Sequence, residues 1–514
     1  MQLNKKFVAY SFLLLATSAQ ADDGIDRMSL ADMRHALNAG TLSSEQLVQH
    51  YLNNIKANNH QGQNINALVT VNEQAIDQAR KWDAERAKNP TAKYAPLAGI
   101  PFVVKDNFDT AGMVTSGGSF VLRSSVPSQD AFTVKKLIDG QAILLGKANL
   151  SELAASFGWF GYSSFGGQTL NPRNTKRDAS GSSSGSAAAV EAAFAPFALG
   201  SDTSGSIRAP ASVTGTVGFR PSLGLISRSG IIPLSLAFDT AGVITNSVLD
   251  QAIVLDAIKG QDKSDPATLD LAADKMQFEP ALSRSSLQGK TIGVVTNFKG
   301  ANPEVDAVFK AAQETLGKRG AHVVSIELPK AFETLWSDVL GPVGESEFKP
   351  QFERYLATLD PNQPRTLAQF LDLARQNQAQ NAAHGMNPAR LAGLETLASA
   401  TSTDSPQYIS ILSRRIPQLR AQLMSIMKQN KADSLFFATI NCPASVVHGV
   451  TDDSYVCKSG DTYASSYIAS ATGFPEITVP AGIIEGNLPV GVSFLGGYGE
   501  DAKVVGFGYA FLGR

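Results

Sequence analysis

Cysteine is nearly absent from this chain: Cys442 and Cys457 are its whole complement. With no CxxC pair and no Cys/His cluster, no metal site is expected. Charge is also scarce. Asp, Glu, Lys and Arg make up 18% of the residues, the net charge is −2, and no block of like charge occurs. Neither nucleic acid nor an anionic membrane is therefore expected as a partner. Beyond the N-terminus no apolar run is long enough to span a bilayer, so no stable membrane span is expected. The serine–glycine turn Ser180-Gly-Ser-Ser-Ser-Gly-Ser186 lacks the Gly-Lys-Ser/Thr ending of a phosphate loop, which argues against a nucleotide. No cofactor is expected.

What is present begins with a targeting pattern. Lys5 and Lys6 precede an apolar run from Phe7 to Ala16, and Ala19-Gln-Ala21 offers a small-x-small cleavage site. This is the layout of a signal peptide over residues 1–21, cleaved after Ala21, and it predicts a periplasmic or secreted protein. In that compartment Cys442 and Cys457 read either as a disulfide, worth about 3 kcal/mol for so short a loop, or as two buried free thiols.

The hydrophobic content of 43% in 514 residues suits a large core. Residues 27–86 read as helices, with Ser29 placed to cap the first and Leu42-Ser-Ser-Glu-Gln-Leu-Val48 opening another. From about 95 to 245, short apolar runs alternate with helical stretches. Strands are expected at Val103 to Lys105, Ala142 to Gly146, Phe197 to Gly200 and Val217 to Phe219, with a buried helix from Ala187 to Phe194. Further strands are expected near 287–295, 322–326, 477–480 and 488–494, and a helix from Glu304 to Leu316. Residues 330–430 read as a helical excursion broken at Pro361 and Pro364. This alternation predicts an α/β fold, a three-layer α/β/α sandwich around a large mixed sheet. The absence of a repeat or long linker predicts a single domain over 22–514.

Three features carry chemistry. The run Gly99-Ile-Pro-Phe-Val-Val104 ends in Lys105-Asp-Asn107, the turn at 180–186 precedes an alanine-rich helix, and Gly200-Ser-Asp-Thr-Ser-Gly-Ser-Ile-Arg208 follows it. A lysine leaving a buried strand can be neutral, and neutral lysine can serve as a base for a serine nucleophile. The N–H groups of Thr203, Ser204, Gly205 and Ser206 can converge on one point at a turn, as an oxyanion hole requires; one donor there contributes about 3–4 kcal/mol. Taken singly, each feature has a plainer reading as a solvated strand end, a flexible loop or a capped turn.

Taken in order, they resemble the amidase signature family. The resemblance extends through Leu97 to Asn107, Gly146 to Glu152, Gly218 to Ser227, Phe238 to Gly242 and Gly473 to Pro480. It implies a catalytic lysine at Lys105, a cis-peptide serine at Ser182 and a nucleophile at Ser206. It also implies that Ser183 hydrogen-bonds the lysine. Asp202 and Arg208 flank the nucleophile turn and are expected to clamp it. Within the family the chain is most similar to secreted bacterial peptide amidases, on Gly166 to Pro172, Ser227 to Pro233, Gly260 to Thr268 and Glu347 to Tyr355. That likeness implies a substrate that is a C-terminal peptide amide, hydrolysed to free acid and ammonia. Fatty-acyl, aliphatic or aryl amides are the alternatives.

The chain also departs from the family. Ser180, Ser184 and Ser204 stand where it more often has glycine; Ser204 is expected to be strained if its backbone is left-handed. The chain stops at Leu512-Gly-Arg514, within the family's last helix, which leaves the packing there open. Two further readings compete. Gly181-Ser-Ser-Ser-Gly185 satisfies GxSxG, which would make Ser183 the nucleophile of an α/β-hydrolase with His448 as its base. The other is a non-catalytic binding protein on the same scaffold. Oligomeric state is not legible.

Overall fold

The computed structural model describes residues 24–513 except 301, 401 and 459. The signal-peptide reading falls outside them.

Eleven strands form one mixed sheet. In chain order they are β1 Leu68–Val71, β2 Pro101–Lys105, β3 Ile143–Ala148, β4 Phe197–Asp202, β5 Val217–Arg220, β6 Thr240–Thr245, β7 Thr291–Val295, β8 His322–Ile326, β9 Ser434–Ala438, β10 Glu476–Ile484 and β11 Leu488–Leu495. Their order across the sheet is β1-β3-β2-β4-β6-β5-β10-β11-β9-β7-β8. β2 runs parallel to both β3 and β4, and β7 to both β8 and β9; the other pairs are antiparallel. Every residue of β2, β3, β4, β6 and β9 is buried. Strands covered on both faces need this continuous apolarity, and the fold is the α/β sandwich expected. The buried helix Ser184–Glu191 lies behind β4 and β2.

Several elements differ from the sequence reading. Within the stretch read as helical, Leu68-Val-Thr-Val71 forms β1, because its β-branched residues pair with β3 at the sheet edge. β6 and β9, which the sequence reading did not single out, are central: β6 pairs along its whole length with β4. Ser29 and Ser43 each close a capping box, with Asp32 and Gln46. At the other end the helix Asp501–Leu512 is capped by Gly513 in left-handed conformation, with Phe507 and Phe511 in the core. That settles its packing.

Between β8 and β9 the chain is helical, including Gly341–Leu356, Leu367–Gln380, Pro388–Ala398 and Ile416–Gln429. Phe348, Phe352 and Phe370 of this region pack with Leu122, Leu153 and Ile232 from loops at the edge of the sheet. No helix among the described residues is long and apolar enough to cross a membrane.

Cys442 and Cys457 form a disulfide, with Cα atoms 5.7 Å apart. The closed loop lies along Asn174–Asp178: Ser445 O accepts from Asp178 N at 2.9 Å, and Val447 N donates to Lys176 O at 3.0 Å. Replacing both cysteines by serine is expected to cost about 3 kcal/mol through the freed unfolded chain. Chemical denaturation reads this as a lower midpoint; an unchanged midpoint would mean the cross-link contributes nothing to stability.

Candidate active site

Parallel pairing of β2 with β4 brings two strand ends to one edge of the sheet, Lys105 on one and Ser201-Asp202 on the other. Open α/β sheets hold their ligands at this carboxyl edge. Lys105 is fully buried. Its Nζ donates to Ser182 Oγ at 2.7 Å, to Ser201 Oγ at 2.9 Å and to Ser201 O at 3.3 Å. Burial lowers its pKa to about 7; the more distant charges of Asp202 and Asp239 pull it back only in part.

Ser182 lies in the turn between Asp178 and the helix at Ser184, and the Gly181–Ser182 peptide is cis. The turn is pressed against its surroundings. A Cβ on Gly181 would sit 2.4 Å from Ser151 Oγ, and one on Gly185 2.3 Å from Ala67 O. Close approach is what fixes glycine at both positions. Ser180 N donates to Asp178 Oδ1 at 2.8 Å, and Ser180 Oγ bonds the Tyr463 hydroxyl. Asp178 is buried, which pushes its pKa up to about 8.

Ser206 sits in the turn after β4. Its hydroxyl makes no hydrogen bond among the described residues, and it shares the lining of a cleft of about 250 Å³ with Ser182 and Ser204. Phe157, Phe160, Trp336 and Tyr467 supply much of the rest. Exposure rises from 0% at Lys105 through 3% at Ser182 to 8% at Ser206. The lysine thus stands at the back of the site and Ser206 at its opening.

The turn is held from beneath by buried charge. Asp202 Oδ1 accepts from Gly205 N, Arg208 Nη2 and Arg220 Nη1, each at 2.9 Å. Its Oδ2 accepts from Ile207 N and Arg208 Nε, each at 3.0 Å. Arg208 Nη1 also reaches Glu476 Oε2 at 2.6 Å. Burial alone would raise the Asp202 pKa, but Arg208 and Arg220 together hold it far below the usual carboxylate range. The expected clamp is present and larger than anticipated, since Arg220 and Glu476 complete it. Both lie in segments quoted above, yet only the pairing of β5 with β6 and β10 brings them here.

Four sequence expectations change. Gly205 N–H is committed to Asp202 and is unavailable as an oxyanion donor, which leaves Thr203, Ser204 and Ser206. Ser204 is not left-handed; among these serines the positive φ falls on Ser180, at 57°. Ser183 does not bond the lysine: its Oγ donates to Ser201 O at 3.1 Å and accepts from Ser201 N at 3.3 Å. The lysine's further partner is instead Ser201, which Asn107 Nδ2 also contacts at 3.0 Å. Finally, Ser183 has no histidine beside it. His448 stacks on Trp159, ring centroids 4.2 Å apart, and the GxSxG reading falls.

A depressed lysine bonded to one serine, with a second serine open to the same cleft, can carry out acyl transfer. The Amidase family model matches residues 46–505, and the chain belongs to that family. It is similar to the peptide amidase of Stenotrophomonas maltophilia, at 34% identity over 95% of this chain and 97% of that one, with a TM-score of 0.84. It is 30% identical over 489 residues to a glutamyl-tRNA(Gln) amidotransferase subunit of Caldanaerobacter subterraneus subsp. tengcongensis, covering 94% of this chain and 96% of that protein. A probable amidase of Arabidopsis thaliana is 32% identical over 499 residues, 95% of this chain and 90% of the relative. The chain is an amidohydrolase, and the reading as a non-catalytic binding protein is set aside.

Proposed function

We propose that the protein is an exported peptide amidase that converts C-terminal peptide amides to free acids and ammonia. The observation that carries the reading is the Lys105–Ser182 hydrogen bond at the back of a cleft that Ser206 opens into. Ser206 Oγ attacks the amide carbon, Ser182 takes its proton and passes one to neutral Lys105, and the carbonyl oxygen becomes an oxyanion facing the N–H groups of Thr203, Ser204 and Ser206. Collapse expels the nitrogen, which takes the proton back through Ser182 and leaves as ammonia. Water, deprotonated along the same route, then hydrolyses the Ser206 ester.

Two findings support the peptide-amide substrate. The peptide amidase of Stenotrophomonas maltophilia matches nearly the whole chain, and aromatic side chains dominate the cleft, which suits peptide side chains better than a small polar amide. Export rests on the N-terminal pattern and agrees with the disulfide. Similarity to an amidotransferase component supports a second reading, in which the ammonia serves a partner.

The test is ammonia release by the mature protein from an N-acylated dipeptide amide, acetamide, an anilide-type aryl amide and glutamine. Preference for the dipeptide amide by about 100-fold or more in kcat/KM is the expected result. Preference for another amide would discard the substrate and keep the chemistry; glutamine alone would favour the second reading. Silence on all four would overturn the reading of the site.

A further inference from the structure

The helix Gly341–Leu356 meets the site along two neighbouring stripes. Gly341, Gly344, Glu345 and Phe348, spaced i, i+3, i+4 and i+7, line a chamber of about 380 Å³. The chamber continues the Ser206 cleft, sharing Phe157, Ser204, Leu234 and Trp336 with it. Thr203 and Ser235 complete the wall nearest the nucleophile turn.

The second stripe is Glu347, Gln351 and Tyr355, at i, i+4 and i+8, and it is tied to the loops beside the site through backbone and side-chain hydrogen bonds, Glu347 Oε1 also accepting from Tyr408 OH at 2.8 Å. Glu347 Oε2 accepts from Ser235 Oγ at 2.7 Å and from Ala237 N at 3.0 Å. Gln351 Oε1 accepts from Leu236 N at 2.9 Å. Tyr355 OH donates to Asp109 Oδ1 at 2.7 Å, four residues beyond Lys105. The 234–237 loop is tied in turn to the nucleophile turn. Asp239 Oδ2 accepts from Leu234 N at 2.9 Å and Ser235 N at 3.0 Å, while its Oδ1 accepts from Thr203 Oγ1 at 2.5 Å. One helix therefore bridges the chamber, the Thr203 turn and the segment that follows Lys105.

We infer that Glu347 and Gln351 are positioning residues that turn filling of the chamber into faster chemistry. An acyl group seated there presses the 234–237 loop onto the helix stripe, and through Asp239 it sets Thr203 where the tetrahedral oxygen forms. Contact energy from a part of the substrate that does not react then appears in kcat. Amides too short to reach the chamber gain nothing from the stripe. The inference rests on the Ser206 amidase reading above.

Gln351 is half-buried, so Gln351→Leu removes the acceptor for Leu236 N–H without opening the core, and Gln351→Glu keeps an oxygen there. Each is assayed with an N-acylated dipeptide amide bearing aromatic side chains and with acetamide. For Gln351→Leu, kcat on the dipeptide amide is expected to fall about tenfold with KM within about twofold, and acetamide turnover to stay within about twofold. Gln351→Glu should recover most of the loss. Should the leucine variant fail to fold, Glu347→Gln, which keeps the side chain's shape and removes the charge that accepts from Ser235 Oγ and Ala237 N, serves for the same comparison. Equal losses on both amides would mean a merely structural stripe. A raised KM at constant kcat would mean an ordinary contact, and no change would mean no role; each overturns the inference. A wild type inactive on both amides would sink the amidase reading of Ser206, and this inference with it.

Discussion

Ser206→Ala is expected to lower kcat/KM for amide hydrolysis by about 10⁴-fold or more while the protein melts as the wild type does. The size follows from what Ser206 would do: as the proposed nucleophile it supplies the oxygen of the ester, and without that oxygen the ester cannot form there. In this reading Ser182 relays the proton and does not attack: its hydroxyl is bonded to Lys105 at 2.7 Å, and it belongs to a different backbone segment. The stability half of the expectation is equally specific. Ser206 Oγ has no hydrogen-bond partner among the described residues, so alanine leaves no buried donor or acceptor unpaired, and a change within about 0.5 kcal/mol is expected. The measurement pairs single-turnover kinetics on an amide with a melting curve. Turnover within tenfold of the wild type would remove Ser206 from the nucleophile's role. An inactive variant that also unfolds would show the oxygen to be structural.

The placement of these groups was legible in the sequence to different depths. Lys105, Ser182 and Ser206 were readable through the order of three features, a buried apolar run, a glycine-jointed turn and Gly205-Ser-Ile-Arg208, each weak alone and specific only in the family's sequence. Ser201 was not, although it adjoins Asp202, because its contact with Lys105 depends on β2 and β4 being parallel neighbours, and no local pattern reports which strands pair. The same reason hid Arg220 and Glu476, which reach Asp202 and Arg208 from β5 and β10. The Ser183 expectation failed for a rotational reason: the helix begins at Ser184, and its entry turns Ser183 towards Ser201 while leaving Ser182 to face the lysine. For the main sheet, runs of continuous apolarity marked most central strands. β1 was missed because four residues between helices are too few for a periodicity to emerge. Which of Ser180 and Ser204 would occupy left-handed space could not be read at all. That depends on Asp178 receiving Ser180 N and on Gly205, at φ 125°, absorbing the turn that would otherwise fall on Ser204.

For hydrolysis itself, the acid limb of kcat/KM is expected near pH 7, with no activity plateau in a Lys105→Arg variant. In the proposed relay only neutral lysine can accept a proton from Ser182. Burial brings its pKa down to about 7, so below that value the basic fraction shrinks about tenfold per pH unit, and above it the rate levels off. The sign is fixed by the charge: acid protonates the base and removes it. What keeps the pKa so low is the arrangement of its neighbours. Three of the lysine's contacts are to serine oxygens, which accept without carrying charge. The nearby anion Asp202 spends its charge on Arg208 and Arg220. A carboxylate in direct contact would instead have held Lys105 protonated through neutral pH. Arginine at this position cannot lose its proton in any accessible range, so it tests the base role apart from the role of filling space, and a loss of about 10³-fold is expected. The profile is measured on kcat/KM, which reports the free enzyme, across the neutral range and well to either side of it. A flat profile, or an arginine variant with wild-type turnover, would mean that the proton leaves Ser206 by a route that does not pass through Lys105.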